Sequence, residues 1–236
     1  VNRLQRYLTA WSRHHRSGGF GIHSPFAYNF VREVLRQRLP YYAYERLAQA
    51  HDTVVAATTR QQRRDLRLVS LAQARLLFRI TNYFNPPVIV QVGSGGCIDT
   101  LAMMSVNSNS RLLLLDPDIE RHPATVRVLQ PLLPRIDCYD DAAVAVADAT
   151  AAAASFVLVD WVDDEAMHSS LQPLVDTLLQ GNGVMIVRDL DHNSLNTTLW
   201  QQACEEMTAG QTFTNGKLGI VVSRQGLPVQ HFDLWL

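Results

Sequence analysis

One short stretch constrains this chain more than any other. Val88-Ile89-Val90-Gln91-Val92 is an almost unbroken apolar run, preceded by Pro86-Pro87 and ended by Gly93-Ser94-Gly95-Gly96. So short an apolar run between proline and glycine reads as a strand buried on both faces, as in a parallel sheet covered by helices. Ile98 to Met104 then has the composition of a helix, and residues 112–115 form a second apolar run that ends in Asp116. Further on, residues 156–159 end in Asp160 and residues 183–187 end in Arg188-Asp189, with a helical pattern over 165–180 between them. Strands alternating with helices in this way specify an α/β fold with a mostly parallel sheet. The C-terminus departs from the alternation. Residues 212–214, Asn215-Gly216 and residues 217–223 read as an antiparallel hairpin, with Asn-Gly predicting a two-residue type I′ turn.

The first 80 residues look different. Leu4, Tyr7, Leu8 and Trp11 share one helix face, and Ser17-Gly18-Gly19 ends that helix. Ser24-Pro25 offers a new helix start, with Phe26, Phe30, Val31 and Val34 as its stripe. Helices are also expected over about 42–57 and from Leu76 through Phe84, with a polar break over 58–65. The near-neutral net charge of −1 hides a division: residues 1–80 hold 14 arginines against four acids, and residues 81–236 hold seven basic residues against 18 acids. The expected organisation is a basic helical appendage (1–80) docked on an acidic α/β domain (81–236), covering its pocket near residues 21–26 and contributing to a homodimer. The competing reading, an exposed nucleic-acid arm, would leave those arginines on one solvent face.

The glycine turn narrows the ligand. A carboxylate about 20 residues beyond such a turn is where nucleotide-binding α/β folds hold ribose hydroxyls, and Asp116 is there. The dinucleotide fingerprint needs a third glycine where this chain has Ile98. S-adenosylmethionine has no pyrophosphate to seat and suits the turn better. A glycine turn with no ligand is the alternative.

Several segments together resemble the bacterial class I S-adenosylmethionine-dependent methyltransferases of the O-methyltransferase kind. They are Gly21-Ile22-His23-Ser24-Pro25-Phe26, residues 41–46, Leu76-Leu77-Phe78-Arg79, Asn82-Tyr83-Phe84, the turn at Gly93, Leu218-Gly219-Ile220-Val221 and the tail over 226–232. The resemblance spans nearly the whole chain. It implies a Rossmann-like fold, cofactor contacts from Gln91, Gly93, Ser94, Gly95, Gly96 and Asp116, Asp140 or Asp141 near the adenine, and Asp160 facing the site. Two positions depart from the family pattern. Gln91 stands where an acid is usual, and Arg188-Asp189 stands where paired aspartates are usual. A catalytically silent relative that keeps the fold for binding or assembly is therefore a second reading, and an RNA-modifying enzyme a third.

Asp160, at a strand's carboxyl end, and Asp189 are the candidate catalytic residues. Asp189, Asp191 and His192 could form a base cluster or hold a cation, but Arg188 puts a fixed positive charge where a metal needs anionic ligands, so no metal is expected. Trp161 and His23 read as packing and turn residues, and His14 and His15 as a solvated helix face. Cys97, Cys138 and Cys204 are odd in number and far apart, which fits free thiols in a reducing cytoplasm and neither a disulfide framework nor a zinc site. The first 17 residues lack the apolar core of a signal peptide, and no run approaches the ~20 apolar residues of a membrane span. A small-molecule acceptor is the expected partner, ahead of nucleic acid, and no membrane partner is expected.

Overall fold

The computed structural model describes residues 24–116 and 122–234. The expectations for His14, His15, His23 and the helix over 4–11 lie outside the described residues. Among them, no helix is long and apolar enough to cross a membrane.

Among the described residues, four helices precede the first strand: α1 (Pro25–Phe30, continued by a π-helical turn, Val31–Leu35), α2 (Ala43–Ala57), α3 (Arg60–Asp65) and α4 (Leu71–Phe84). Alternating strands and helices follow: β1 (Val88–Val92), α5 (Ile98–Met104), β2 (Arg111–Leu115), α6 (Pro123–Leu129), β3 (Ile136–Tyr139), α7 (Ala142–Ala151), β4 (Phe156–Val159), α8 (Glu165–Gln180), β5 (Val184–Val187) and α9 (Ser194–Glu206). Three strands close the chain: β6 (Gly210–Thr214), β7 (Gly219–Ser223) and β8 (Gln230–Asp233). They form one eight-stranded sheet in the order β3-β2-β1-β4-β5-β7-β6-β8. The pairs from β3 through β5 are parallel, β7 is antiparallel to both β5 and β6, and β8 runs parallel to β6.

Period-two alternation divides the core between the two faces of the sheet. Ile89, Leu112, Phe156, Ile186 and Phe213 face α1, α2, α4 and α5, while Val90, Leu113, Val157, Met185 and Val221 face α7, α8 and α9. The arginine-rich segment therefore builds one layer of the main core. Phe30 of α1 is fully buried, 5.0 Å from Phe213 on β6. Arg79 of α4 ties the layer together, its guanidinium donating to the carbonyls of Val34 (2.7 Å) and Leu35 (3.1 Å) and to the Tyr44 hydroxyl (3.1 Å). Those carbonyls end the π-helical turn, so Arg79 acts as a C-cap supplied from another helix.

Two local expectations are corrected. The polar stretch over 58–65 is no break: Thr59 and Gln62 form a reciprocal capping box that starts α3. The Asn215-Gly216 turn is not type I′, because of the two only Gly216 is left-handed (φ 84°). The strands are joined by four residues, with the Asn215 side-chain oxygen accepting from the amides of Lys217 and Leu218 (2.9 Å each). The tail adds the eighth strand, β8. The alanine-rich stretch over 142–154 forms α7 through Ala151.

Candidate active site

The strand order reverses between β1 and β4, and open α/β sheets bind ligands at the carboxyl ends of strands at such a point. Here β1 runs into the glycine turn and β4 into Asp160, whose amide donates to the Val92 carbonyl (2.8 Å). Gly93 is left-handed (φ 79°), and a Cβ there would lie 3.3 Å from the Asp160 Cβ. Glycine at 93 is what lets the two strand ends approach. Gly96 does the same for the N-terminal layer, since a Cβ at that position would meet Leu68 Cδ1 at 2.7 Å.

Beneath the turn lies a buried polar network. Gln91 Nε2 donates to Asp99 Oδ2 (3.0 Å) and to the Gly93 carbonyl (2.8 Å), and its Oε1 accepts from the Thr100 hydroxyl (2.9 Å). Asp99, in the first turn of α5, is fully buried and also accepts from the Thr100 amide (2.8 Å). Arg188 Nη1 donates to Asp160 Oδ1 in a tight ion pair and lies 3.7 Å from Asp99 Oδ2. Arg67 Nε lies 3.7 Å from Asp160 Oδ2, and its guanidinium sits 4.9 Å from the centre of the Trp161 ring.

Burial, with Asp160 nearby, pushes the Asp99 carboxyl up to about 8. Burial also pushes Asp160 above the ordinary carboxylate range, with Arg188 and Arg67 pulling the other way. For Arg188, burial works against the charge, but Asp160 and Asp99 outweigh it and hold the guanidinium protonated. The Cys97 thiol, pushed up to about 12 chiefly by burial, is unsuited to act as a nucleophile.

Asn196 of α9, fully buried, fixes the ends of β4 and β5. Its Nδ2 donates to the carbonyls of Asp160 (2.9 Å) and Arg188 (2.8 Å), and its Oδ1 accepts from the Val162 amide (2.9 Å). Asn193 caps the same helix and donates to the Val162 carbonyl (2.9 Å).

A cavity of about 690 Å³ opens beside Asp160, lined by Arg60, Arg63, Arg64 and Arg67 on one side and by Trp161, Arg188, Asp189 and His192 on the other. Its roof is α3 and the residues after it. The expected roof near residues 21–26 is corrected for its described part: Ser24, Pro25 and Phe26 line a separate cavity of about 590 Å³ with Arg224, Leu227 and Gln230. Ser24 Oγ accepts from Gln211 Nε2 (2.6 Å) near the start of β6, which runs in the direction of β5, so that cavity lies at the opposite end of the sheet.

The structure brings Gln91, Gly93, Gly95, Asp160 and Arg188 together, with Ser94 and Gly96 in the same turn. Asp116 follows β2, nine-tenths buried, on the far side of the turn. Asp140 is exposed, and Asp141 caps α7, its Oδ1 accepting from the amides of Ala143 (2.8 Å) and Val144 (3.0 Å). Asp189 is half-buried and left-handed (φ 52°). The ligand atoms of Asp189, Asp191 and His192 lie within 4.8 Å of one another, but Lys217 Nζ is 3.7 Å from Asp191, and Arg188 adjoins Asp189 in sequence. Sequence reasoning missed Arg67, Asp99, Thr100 and Asn196. Only Asp99 carried a signal, as an acid in the first turn of an otherwise apolar helix.

No family model and no curated protein sequence matches the chain. Solved structures match its fold. A Podospora anserina methyltransferase bound to SAH aligns with a TM-score of 0.56 at 10% identity, over 86% of this chain and 97% of that one. A methyltransferase from Geobacter sulfurreducens aligns with a TM-score of 0.55 at 17% identity, over 82% and 94%. The O-methyltransferase from Bacillus cereus in complex with SAH aligns with a TM-score of 0.51 at 14% identity, over 82% and 96%. At such identities the likeness establishes the fold. This chain has the Rossmann-like fold of the class I methyltransferases, a mostly parallel sheet closed by an antiparallel hairpin.

Proposed function

We propose that this protein is a cytoplasmic S-adenosylmethionine-dependent methyltransferase that O-methylates a small-molecule acceptor. The observation that carries the reading is the left-handed glycine turn after β1, packed against Asp160 at the strand-order reversal of a methyltransferase fold. The residues present suit the cofactor's zwitterionic tail. Arg188 Nε and Asp160 Oδ2 are a buried donor and acceptor of opposite charge with no hydrogen-bond partner, and an added Cβ at Gly95 would meet the Arg188 guanidinium. In this reading Gly93, Ser94, Gly95 and Gly96 hold the tail, with Gln91 bracing the turn from below. Asp116 takes the ribose hydroxyls, and Asp140 lies near the adenine more freely than Asp141, which caps a helix.

The bound cofactor supplies a methyl group already activated on a sulfonium, so the protein has chiefly to align the acceptor oxygen and accept its proton. Asp189, the half-buried carboxylate on the cavity wall, would accept the proton of an acceptor hydroxyl placed in the cavity. Asp160, tied to Arg188, sets the electrostatics of the floor. One observation favours a second reading, a silent relative that keeps the fold for binding: the Asp160–Arg188 pair already fills that floor.

Calorimetric titration with S-adenosylmethionine tests both. Binding is expected, and Asp116→Ala, by removing charge-assisted hydrogen bonds, should weaken it about tenfold or more. Equal affinity in the variant rejects the Asp116 role. Absence of binding at millimolar cofactor supports the silent relative.

A further inference from the structure

We infer that the cavity beside Asp160 recognises a small molecule bearing an oxyanion, a phosphate or a carboxylate, gripped by the arginines of α3 and by Arg67. That this molecule is the methyl acceptor rests on the function proposed above. Five arginines line the cavity. Arg188 is neutralised by Asp160, which leaves Arg60, Arg63, Arg64 and Arg67 against Asp65 and Asp189, a surplus of two positive charges. The spacing puts Arg60, Arg64 and Arg67 on one side of the short helix and its exit. Arg63 is anchored to the Val55 carbonyl (3.1 Å), whereas the side chains of Arg60 and Arg64 make no ion pair or hydrogen bond among the described residues. Asp65, within the same cluster, instead accepts from Gln61 (2.8 Å).

Such a cluster is self-repelling and would be relieved by an anion between its members. A second, independent observation points the same way. The Nε atom of Arg67, on the cavity wall, is buried without a hydrogen-bond partner. Arg67 also holds a left-handed backbone (φ 50°) that a non-glycine residue adopts only at a cost, and this conformation keeps it over the Trp161 ring. Trp161 adds a flat apolar surface beside the charges, which suits a planar anion.

The test is titration of the full chain with phenyl phosphate, benzoate and phenol, three probes that share a ring and differ in charge, each with and without saturating S-adenosylmethionine. An anion should bind at least tenfold more tightly than phenol, more weakly in high salt, and the tighter of the two anions names the group. Arg60→Gln with Arg64→Gln should weaken anion binding at least tenfold while leaving cofactor affinity unchanged. Phenol binding as well as the anions, an unaffected double variant, or an RNA oligonucleotide displacing phenyl phosphate at lower concentration each overturns the inference. Cofactor binding without anion binding defeats this inference alone. Anion binding without cofactor binding supports the oxyanion site and defeats the methyltransferase reading.

Discussion

The cleft along the carboxyl edge of the sheet has two unlike halves. Among the described residues, those directly after β2 and β3 that can ionise are Asp116, Asp140 and Asp141, and after β1 the backbone is open at glycine. On the β4 to β5 side the floor is an Asp–Arg pair, and four more arginines hang over it from the N-terminal layer. Acid beside a glycine turn suits hydroxyls and a cationic donor. An arginine-lined chamber suits an anion. The border between them runs through Asp160, Arg188 and Asp99, so the charge balance of those three residues governs both halves.

The largest effect is expected where that border is broken. Arg188→Met leaves Asp160 fully buried with its main partner gone, and breaking one side of a buried pair costs about 3–5 kcal/mol. Urea unfolding measures it. A loss under about 1 kcal/mol would mean that Arg67 suffices to hold Asp160 and that the border is softer than its geometry suggests.

A smaller effect concerns Asp99. Its folded value of about 8 lies above the ordinary value near 4, so between those pH values the native state keeps a proton that the unfolded chain releases. Asp99 therefore contributes full stability below about pH 4, and that stability is lost as pH rises toward 8. Asp99→Asn carries no such proton. Comparing urea unfolding at pH 5 and pH 8 should show a flatter profile for the variant, with a relative gain at pH 8 on the order of 1 kcal/mol or more. Parallel profiles would show that Asp99 stays ionised beside Arg188.

The smallest expected effect is none. If the fixed charge of Arg188 replaces a cation on this side of the cleft, methyl transfer measured with a chelator should equal that without it. Loss of activity restored by magnesium would instead assign the Asp189, Asp191 and His192 cluster a metal and blur the contrast between the halves.

How much of this was legible in the sequence follows from the range of the forces involved. β1, β2, β4 and β5 could be read directly, because a strand buried on both faces must be apolar throughout and must stop at a turn residue. The glycine turn and the acids after the strands were readable for the same reason. The arginine chamber was not. It depends on α3 folding back across residues nearly a hundred positions later in the chain, and the capping box that makes α3 a helix is four polar residues long and easily read as a loop. Asn196 was equally silent, since a lone asparagine on a helix carries no sign that it will bind the ends of two strands. Its neighbour Asn193, capping the helix by local rules, was the more visible of the two and the less important to the site.

The contact between Ser24 and Gln211 bears on the order in which the molecule assembles. The two residues are 187 positions apart, yet they share a 2.6 Å hydrogen bond, and Phe30 packs on Phe213 beside them. Closing so long a loop is entropically costly until the intervening sheet has drawn the ends together. During synthesis α1 precedes β6, so its contacts with α4 can form early, whereas those with Gln211 and Phe213 must wait until β6 has been made. Until β6 arrives, Phe30 has Phe26, Tyr83 and Phe84 against it but lacks Phe213, and that incompletely covered aromatic face is a surface on which the nascent chain could aggregate.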